Sequence, residues 1–130
     1  MTEYRVKVYN DRTVWYNLKG YVHRENGPAI EYTNGSKFWY LNDKFHRVDG
    51  PAVENTNGTK EWFLNGKRHR LYGPVIEYPT GYKKWFINGE ELTREEFNKL
   101  ITLKRINDKI NSCSGKVVEI DSKKYKLTEV

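Results

Sequence analysis

The stretch "PAIEYTNGSKFWYLN", residues 28–42, sets two strand-forming runs on either side of Asn34-Gly35. Asn-Gly is the strongest two-residue signal for a β-hairpin, because both residues accept positive φ. The pattern returns as "PAVENTNGTKEWFLN" (51–65) around Asn57-Gly58, and a third copy turns on Thr80-Gly81. The step is 23 residues: Pro28, Pro51 and Pro74 keep it, as do His23, His46 and His69, Gly35, Gly58 and Gly81, and Trp39, Trp62 and Trp85. Trp15 precedes Trp39 by 24, because "WYNLKGYVH" carries one residue more than "WYLNDKFH". So many positions in register identify an internal repeat of three full units, with a partial one, "WFING", after them.

A two-residue turn at each Asn-Gly step predicts the strand register. It sets Ile30 opposite Trp39, Val53 opposite Trp62 and Ile76 opposite Trp85, aliphatic–aromatic pairs that suit an antiparallel sheet. Alternation then assigns Ile30, Trp39 and Leu41, with their equivalents, to the core face. The other face carries Ala29 and Tyr40, Ala52 and Phe63, and Val75 and Phe86, with Glu31, Glu54 and Glu77 beside them. A second turn follows each Trp strand, at Asn42-Asp43, Asn65-Gly66 and Asn88-Gly89. The expectation is a mainly β protein: an antiparallel meander of repeated β-hairpins, with one C-terminal helix and a terminal hairpin.

The flanks complete that outline. "EYRVKVY" alternates and opens the ribbon, blunting its edge with charge. "ELTREEFNKLITLKRINDKI" (91–110) is the clear helix, with Thr93 and Glu96 forming a capping box and Glu95 suiting the positive helix end. Phe97, Leu100 and Ile101 make one apolar stripe, and Leu103, Ile106 and Ile110 a shifted one. "INSCSG" (110–115) is a linker-like loop, and "KVVEIDSKKYKLTEV" reads as a hairpin around Asp121-Ser122. Repeat arrays need their exposed end covered. Residues 1–92 are therefore expected to form the ribbon, and 93–130 a capping helix plus hairpin packed with it as one domain.

Composition limits the function classes. Apolar residues are 37%, yet aromatics are 15%, so large rings can build a core from few positions. No apolar run approaches the roughly 18 residues of a membrane helix, and "MTEYRVKVYNDR" has no signal-peptide h-region. Cys113 is the one cysteine, which excludes an intrachain disulfide and a Cys-based zinc site. A reducing cytoplasm fits these features. Net charge is +6, and it is concentrated: residues 62–85 carry Lys67, Arg68, Arg70, Lys83 and Lys84 against Glu77, a net +4. Such a patch suits an acidic partner or nucleic acid.

The chemistry-bearing stretch is "NGKRHRLYGP" (65–74), which matches "NDKFHRVDGP" (42–51) and "YVHRENGP" (21–28). Equivalent positions in successive hairpins lie two strands apart, roughly 9–10 Å. A zinc ion needs ligands about 2 Å away, so the three histidines cannot share one. No Ser, Thr or Cys recurs beside His to make a nucleophile pair, and no GxxxxGK[ST], HExxH or GxSxG string is present. The stretch is read as a scaffold corner, with no enzyme activity, metal or cofactor expected. Arg24 and Arg47 have local acids in Glu25 and Asp49, whereas Arg70 has Leu71 and Tyr72 there instead. An anion would be sought near Lys67, Arg68 and Arg70. The aromatic stripe Tyr16, Tyr40, Phe63 and Phe86 is a platform for a peptide or stacked bases if uncovered, and a second core if covered. The candidate binding residues are Tyr40, Phe63, Phe86, Arg47, Lys67, Arg68, Arg70, Lys83 and Lys84.

The hairpin repeat with "W-[YF]-x-N-G-K…H…G…G" resembles the MORN repeat over about residues 13–90. Where that family has His-Gly-x-Gly, this chain has His-Arg-x-x-Gly-Pro, as in His69, Arg70, Gly73 and Pro74. The shorter pattern "NGKxHRxxGPA" is similar to repeats in small proteins of bacteria and their phages. The resemblance implies a ribbon of stacked hairpins serving as scaffold or binding surface, some such ribbons being linked to anionic lipids. It also implies a host protein as the partner, bound and modulated in the host cytoplasm, if the chain is phage-encoded. The expected function is a non-enzymatic repeat-based protein-binding module. The alternative is binding of nucleic acid or another polyanion through the basic third repeat. Edge pairing of two ribbons offers a route to a homodimer.

Overall fold

The computed structural model describes residues 3–112, 117–120 and 123–126. The chain divides into two compact units, Met1–Arg94 and Glu95–Val130. In the first, β1 (Arg5–Val8) and β2 (Arg12–Tyr16) precede the first full hairpin, β3 (Ile30–Tyr32) and β4 (Lys37–Phe38). A short ribbon follows, β5 (Tyr40–Leu41) with β6 (Lys44–Phe45). The next unit repeats both parts as β7 (Val53–Glu54) with β8 (Lys60–Glu61), then β9 (Phe63–Leu64) with β10 (Lys67–Arg68). In the last unit β11 (Ile76–Glu77) pairs with the start of β12 (Lys83–Ile87), whose end pairs with β13 (Glu90–Leu92). The main sheet runs β1-β2-β3-β4-β7-β8-β11-β12-β13, antiparallel throughout, with β5-β6 and β9-β10 as separate two-stranded ribbons.

The two turns of each unit are of different kinds, and this corrects the predicted register. At Asn42-Asp43, Asn65-Gly66 and Asn88-Gly89 both central residues have positive φ, 48° and 65°, 50° and 80°, and 48° and 84°. These are two-residue type I′ turns, whose twist matches the strands they join. At Asn34-Gly35 only the glycine is left-handed, at 97°. Gly35 N–H donates to the Tyr32 carbonyl and Tyr32 N–H to that of Ser36, so the loop holds three residues. It is a type I turn closed by a left-handed glycine. The Asn34 side chain accepts from Ser36 N–H at 2.9 Å, and Asn57 repeats the bond with Thr59 N–H at 2.9 Å. Asparagine is thus used here for its side-chain oxygen, as in an Asx turn.

One extra loop residue shifts each pairing by one. Ile30 lies opposite Phe38, Val53 opposite Glu61 and Ile76 opposite Lys84, in place of the predicted tryptophans. The strand breaks at Trp39 and again at Trp62, whereas β2 and β12 run on through Trp15 and Trp85. Trp15, Trp39 and Trp62 donate their N–H groups to the carbonyls of Ala29, Ala52 and Val75, each at 2.8 Å. The break lets both Ala52 and Val53 be buried, where strict alternation would expose one. Ala52, Val53 and Phe63 form a buried cluster against which Phe38, Trp39 and Phe45 pack, so the core lies between the main sheet and the ribbons.

In the second unit α1 (Arg94–Ser112) begins directly after Thr93, with Glu95 and Glu96 in its first turn, as the capping signal predicts. Phe97 and Ile101 are buried, while Leu100 and Leu103 are exposed. β14 (Val117–Ile120) pairs antiparallel with β15 (Lys123–Lys126), with Val118 opposite Tyr125. Cys113, the Asp121-Ser122 turn and Leu127 lie outside the described residues. Among the described residues no helix is long and apolar enough to cross a membrane.

Candidate functional site

The His-Arg-x-x-Gly-Pro loops share one construction. The guanidinium carbons of Arg24, Arg47 and Arg70 lie 3.8, 3.9 and 3.8 Å from the ring centres of Trp15, Trp39 and Trp62. Each guanidinium also donates to a proline carbonyl four residues on, Pro28, Pro51 or Pro74, at 3.2, 3.1 and 2.9 Å. A carboxylate seven residues on completes the set: Glu31 at 3.3 Å, Glu54 at 3.6 Å and Glu77 at 3.3 Å. Arginine's planar fork allows stacking and hydrogen bonding at once, which lysine could not reproduce. Sequence reasoning placed the acids beside the aromatic stripe and missed this pairing. Arg70 makes the same three contacts as the other two, and Arg47 adds a bond to Asp49.

The glycine of each Gly-Pro step makes room for that guanidinium. A Cβ built on Gly50 or Gly73 would stand 2.8 Å from the guanidinium carbon of Arg47 or Arg70. Gly50→Ala should therefore lower stability by about 1–2 kcal/mol, through loss of the stack and the carbonyl bond. In an Arg47→Ala background the same change should add little, a non-additivity that thermal unfolding of the double-mutant cycle reads directly.

The histidines join successive units. Nδ1 of His23, His46 and His69 accepts from the backbone N–H of Asn42, Asn65 and Asn88 at 3.0, 2.9 and 3.0 Å. Each donor opens the type I′ turn of the following unit. With Nδ1 an acceptor, the neutral ring carries its proton on Nε2. In the first unit Nε2 lies 3.5 Å from a carboxylate oxygen of Glu25. Among the described residues, no group of three or more His, Cys, Asp or Glu is placed to hold a metal ion.

The predicted binding residues separate into two groups. Phe63 is buried, at 8% exposed, and Tyr40 and Phe86 are half-buried. The Phe45 ring stacks between Tyr40, at 4.4 Å, and Phe63, at 4.9 Å, so these rings build an interior spine. Burial raises the Tyr40 phenol above its ordinary pKa, and Tyr32 and the Asp43 carboxylate raise it further. In the basic group, Arg68 bonds Glu61 at 3.0 Å, Lys84 lies 3.8 Å from Glu91, and Arg47 bonds Asp49 at 3.0 Å. Lys83 lies opposite Glu77 and extends a row of alternating charge, Glu31, Lys37, Glu54, Lys60, Glu77 and Lys83, across the sheet. Lys67 and Lys83 keep exposed positions.

Two recesses lie between successive loops. One, of about 720 Å³, runs between the loops at Arg24–Gly27 and His46–Asp49, over Trp39 and Leu41. A second, of about 530 Å³, runs between Arg47–Pro51 and His69–Tyr72, over Trp62 and Leu64. Trp62 and Leu64 follow Trp39 and Leu41 by 23 residues, so these are two copies of one groove. Val48 and Tyr72 stand at their rims, 83% and 76% exposed. The predicted core face had claimed Trp39, Leu41, Trp62 and Leu64. The groove had one sequence signal: Val48, Leu71 and Tyr72 put apolar side chains into a loop where the first unit has Glu25 and Asn26. Comparison with known proteins gives no match to a family model, a curated protein or a solved structure.

Proposed function

We propose that the protein is a non-enzymatic binding module whose partner is another protein, held along the paired grooves. The observation that carries this reading is the repetition, at a single-unit step, of one recess over a tryptophan and a leucine, with exposed Val48 and Tyr72 beside it. Large apolar side chains held out of the core on ordered loops suit association. Repeated concave surfaces suit an extended contact. The carboxylates facing Arg68, Arg70 and Lys84 leave the third unit a poor phosphate track and favour a protein over a polyanion. The similarity of "NGKxHRxxGPA" to small bacterial and phage proteins makes a bacterial lysate the place to look, with a host protein as the target.

The test is a tagged pull-down from bacterial lysate, with and without nuclease, at low and moderate salt. A stoichiometric protein band should survive both treatments and disappear when Val48→Glu and Tyr72→Glu are combined. Loss of all bound material on nuclease treatment or at moderate salt would replace this reading with polyanion binding, whose affinity falls steeply with salt. A band untouched by the groove variant would remove the grooves from it.

A further inference from the structure

The three loops differ at the position that follows the arginine, Glu25, Val48 and Leu71. In the first unit the His23 Nε2–H faces the Glu25 carboxylate at 3.5 Å. The equivalents of Glu25 are Val48 and Leu71, neither of which can accept a hydrogen bond. His46 lines the first groove and His69 the second. Both rings are fixed through Nδ1, yet neither Nε2–H has an acceptor among the described residues. The first unit thus supplies its own acceptor, and the next two present the same donor beside an apolar rim.

We infer, building on the proposed function, that the grooves hold an acidic segment of a partner protein in an extended, polyproline II conformation. A carboxylate of that segment meets each of His46 and His69, as Glu25 meets His23. Aliphatic side chains enter over Trp39 and Leu41, and over Trp62 and Leu64. The spacing selects the conformation. Equivalent groups in neighbouring units are two strands apart, roughly 9–10 Å. A polyproline II chain brings every third residue to one side and rises about 9 Å over that interval. A β-strand would turn every second residue to the same side, at about 7 Å. Charge favours the second groove, whose lining sets Arg47 and Arg70 against Asp49, over the first, where Glu25 and Asp49 balance Arg24 and Arg47.

The test uses labelled peptides of repeated Glu-Leu-Pro triplets, read by fluorescence anisotropy with the intact protein. The Gln-Leu-Pro counterpart should bind about tenfold or more weakly, because it removes charge-assisted hydrogen bonds. The Lys-Leu-Pro counterpart should not bind. The decisive variant combines Val48→Glu and Leu71→Glu, which install in the later units the carboxylate that the first already holds. It should fold normally by circular dichroism and lose the acidic peptide, while the parent shows shifts of the His46 and His69 Nε2 resonances on titration. Equal binding of the glutamine peptide, undiminished binding by the double variant, or no binding of the acidic peptide would overturn the inference. A lysate protein released by the same variant, with no affinity for the acidic peptide, would leave the protein-binding reading standing and refute only this ligand. Competition by an oligonucleotide at the grooves would refute both.

Discussion

Reversing one charge, Arg68→Glu, should lower the unfolding free energy by about 2–3 kcal/mol, because it puts a second carboxylate against the half-buried Glu61. Arg68 bonds Glu61 at 3.0 Å and lies over the Phe63 and Phe86 rings at 5.3 and 5.7 Å. The repeat shows which replacements this site accepts. One unit earlier the same two positions are Phe38 and Phe45, with ring centres 6.2 Å apart. One unit later they are Lys84 and Glu91, at 3.8 Å, with the signs exchanged. Whatever the chemistry, the pair stays matched. Combining Glu61→Lys with Arg68→Glu rebuilds the later pair and should recover stability to within about 1 kcal/mol of the parent. The phenylalanine pair should be at least as stable, since replacing a half-buried ion pair with packed apolar groups is often favourable. Urea unfolding of these variants gives the result. Equal stability of the single reversal and the parent would show that the pair contributes nothing.

Phe63→Ala should be more damaging, at about 3–4 kcal/mol, the range for removing a buried aromatic ring. Phe63 is 8% exposed, packs with Ala52 and Val53, and stacks on Phe45 at 4.9 Å. Phe63→Tyr should change stability by less than about 1 kcal/mol, because the equivalent Tyr16 and Tyr40 already carry the hydroxyl. If the alanine variant melts with the parent, the aromatic spine does not hold the ribbons to the sheet. Near-ultraviolet circular dichroism would separate loss of that packing from loss of the hairpins.

The sequence revealed the architecture better than the surface. Twenty-three-residue spacing, the type I′ turns at Asn65-Gly66 and Asn88-Gly89, and the helix start after Thr93 were all legible, because each rests on local backbone preference. The Asn34-Gly35 loop was misread for an equally local reason. Asn-Gly serves both a two-residue turn and a three-residue loop, which differ in the φ of the asparagine and in the closing hydrogen bonds. That single residue took Trp39 and Trp62 out of their expected pairs with Ile30 and Val53; both line the grooves, and Trp39 also packs against the core cluster. The basic patch was misleading in another way. Counting charges along the chain finds Arg70 without a neighbouring acid, whereas the structure brings Glu77 to it from seven residues away. Stacking of arginine on tryptophan leaves no spacing signature that charge and hydropathy could show.

The bonds from Asn42 to His23, from Asn65 to His46 and from Asn88 to His69 each tie a unit to its immediate neighbour. An array built this way accommodates the gain or loss of whole units, since every junction offers the same pair of partners. Each gain or loss also changes the number of grooves. Avidity for a repetitive partner would then change geometrically with copy number, by a route that point substitution does not provide.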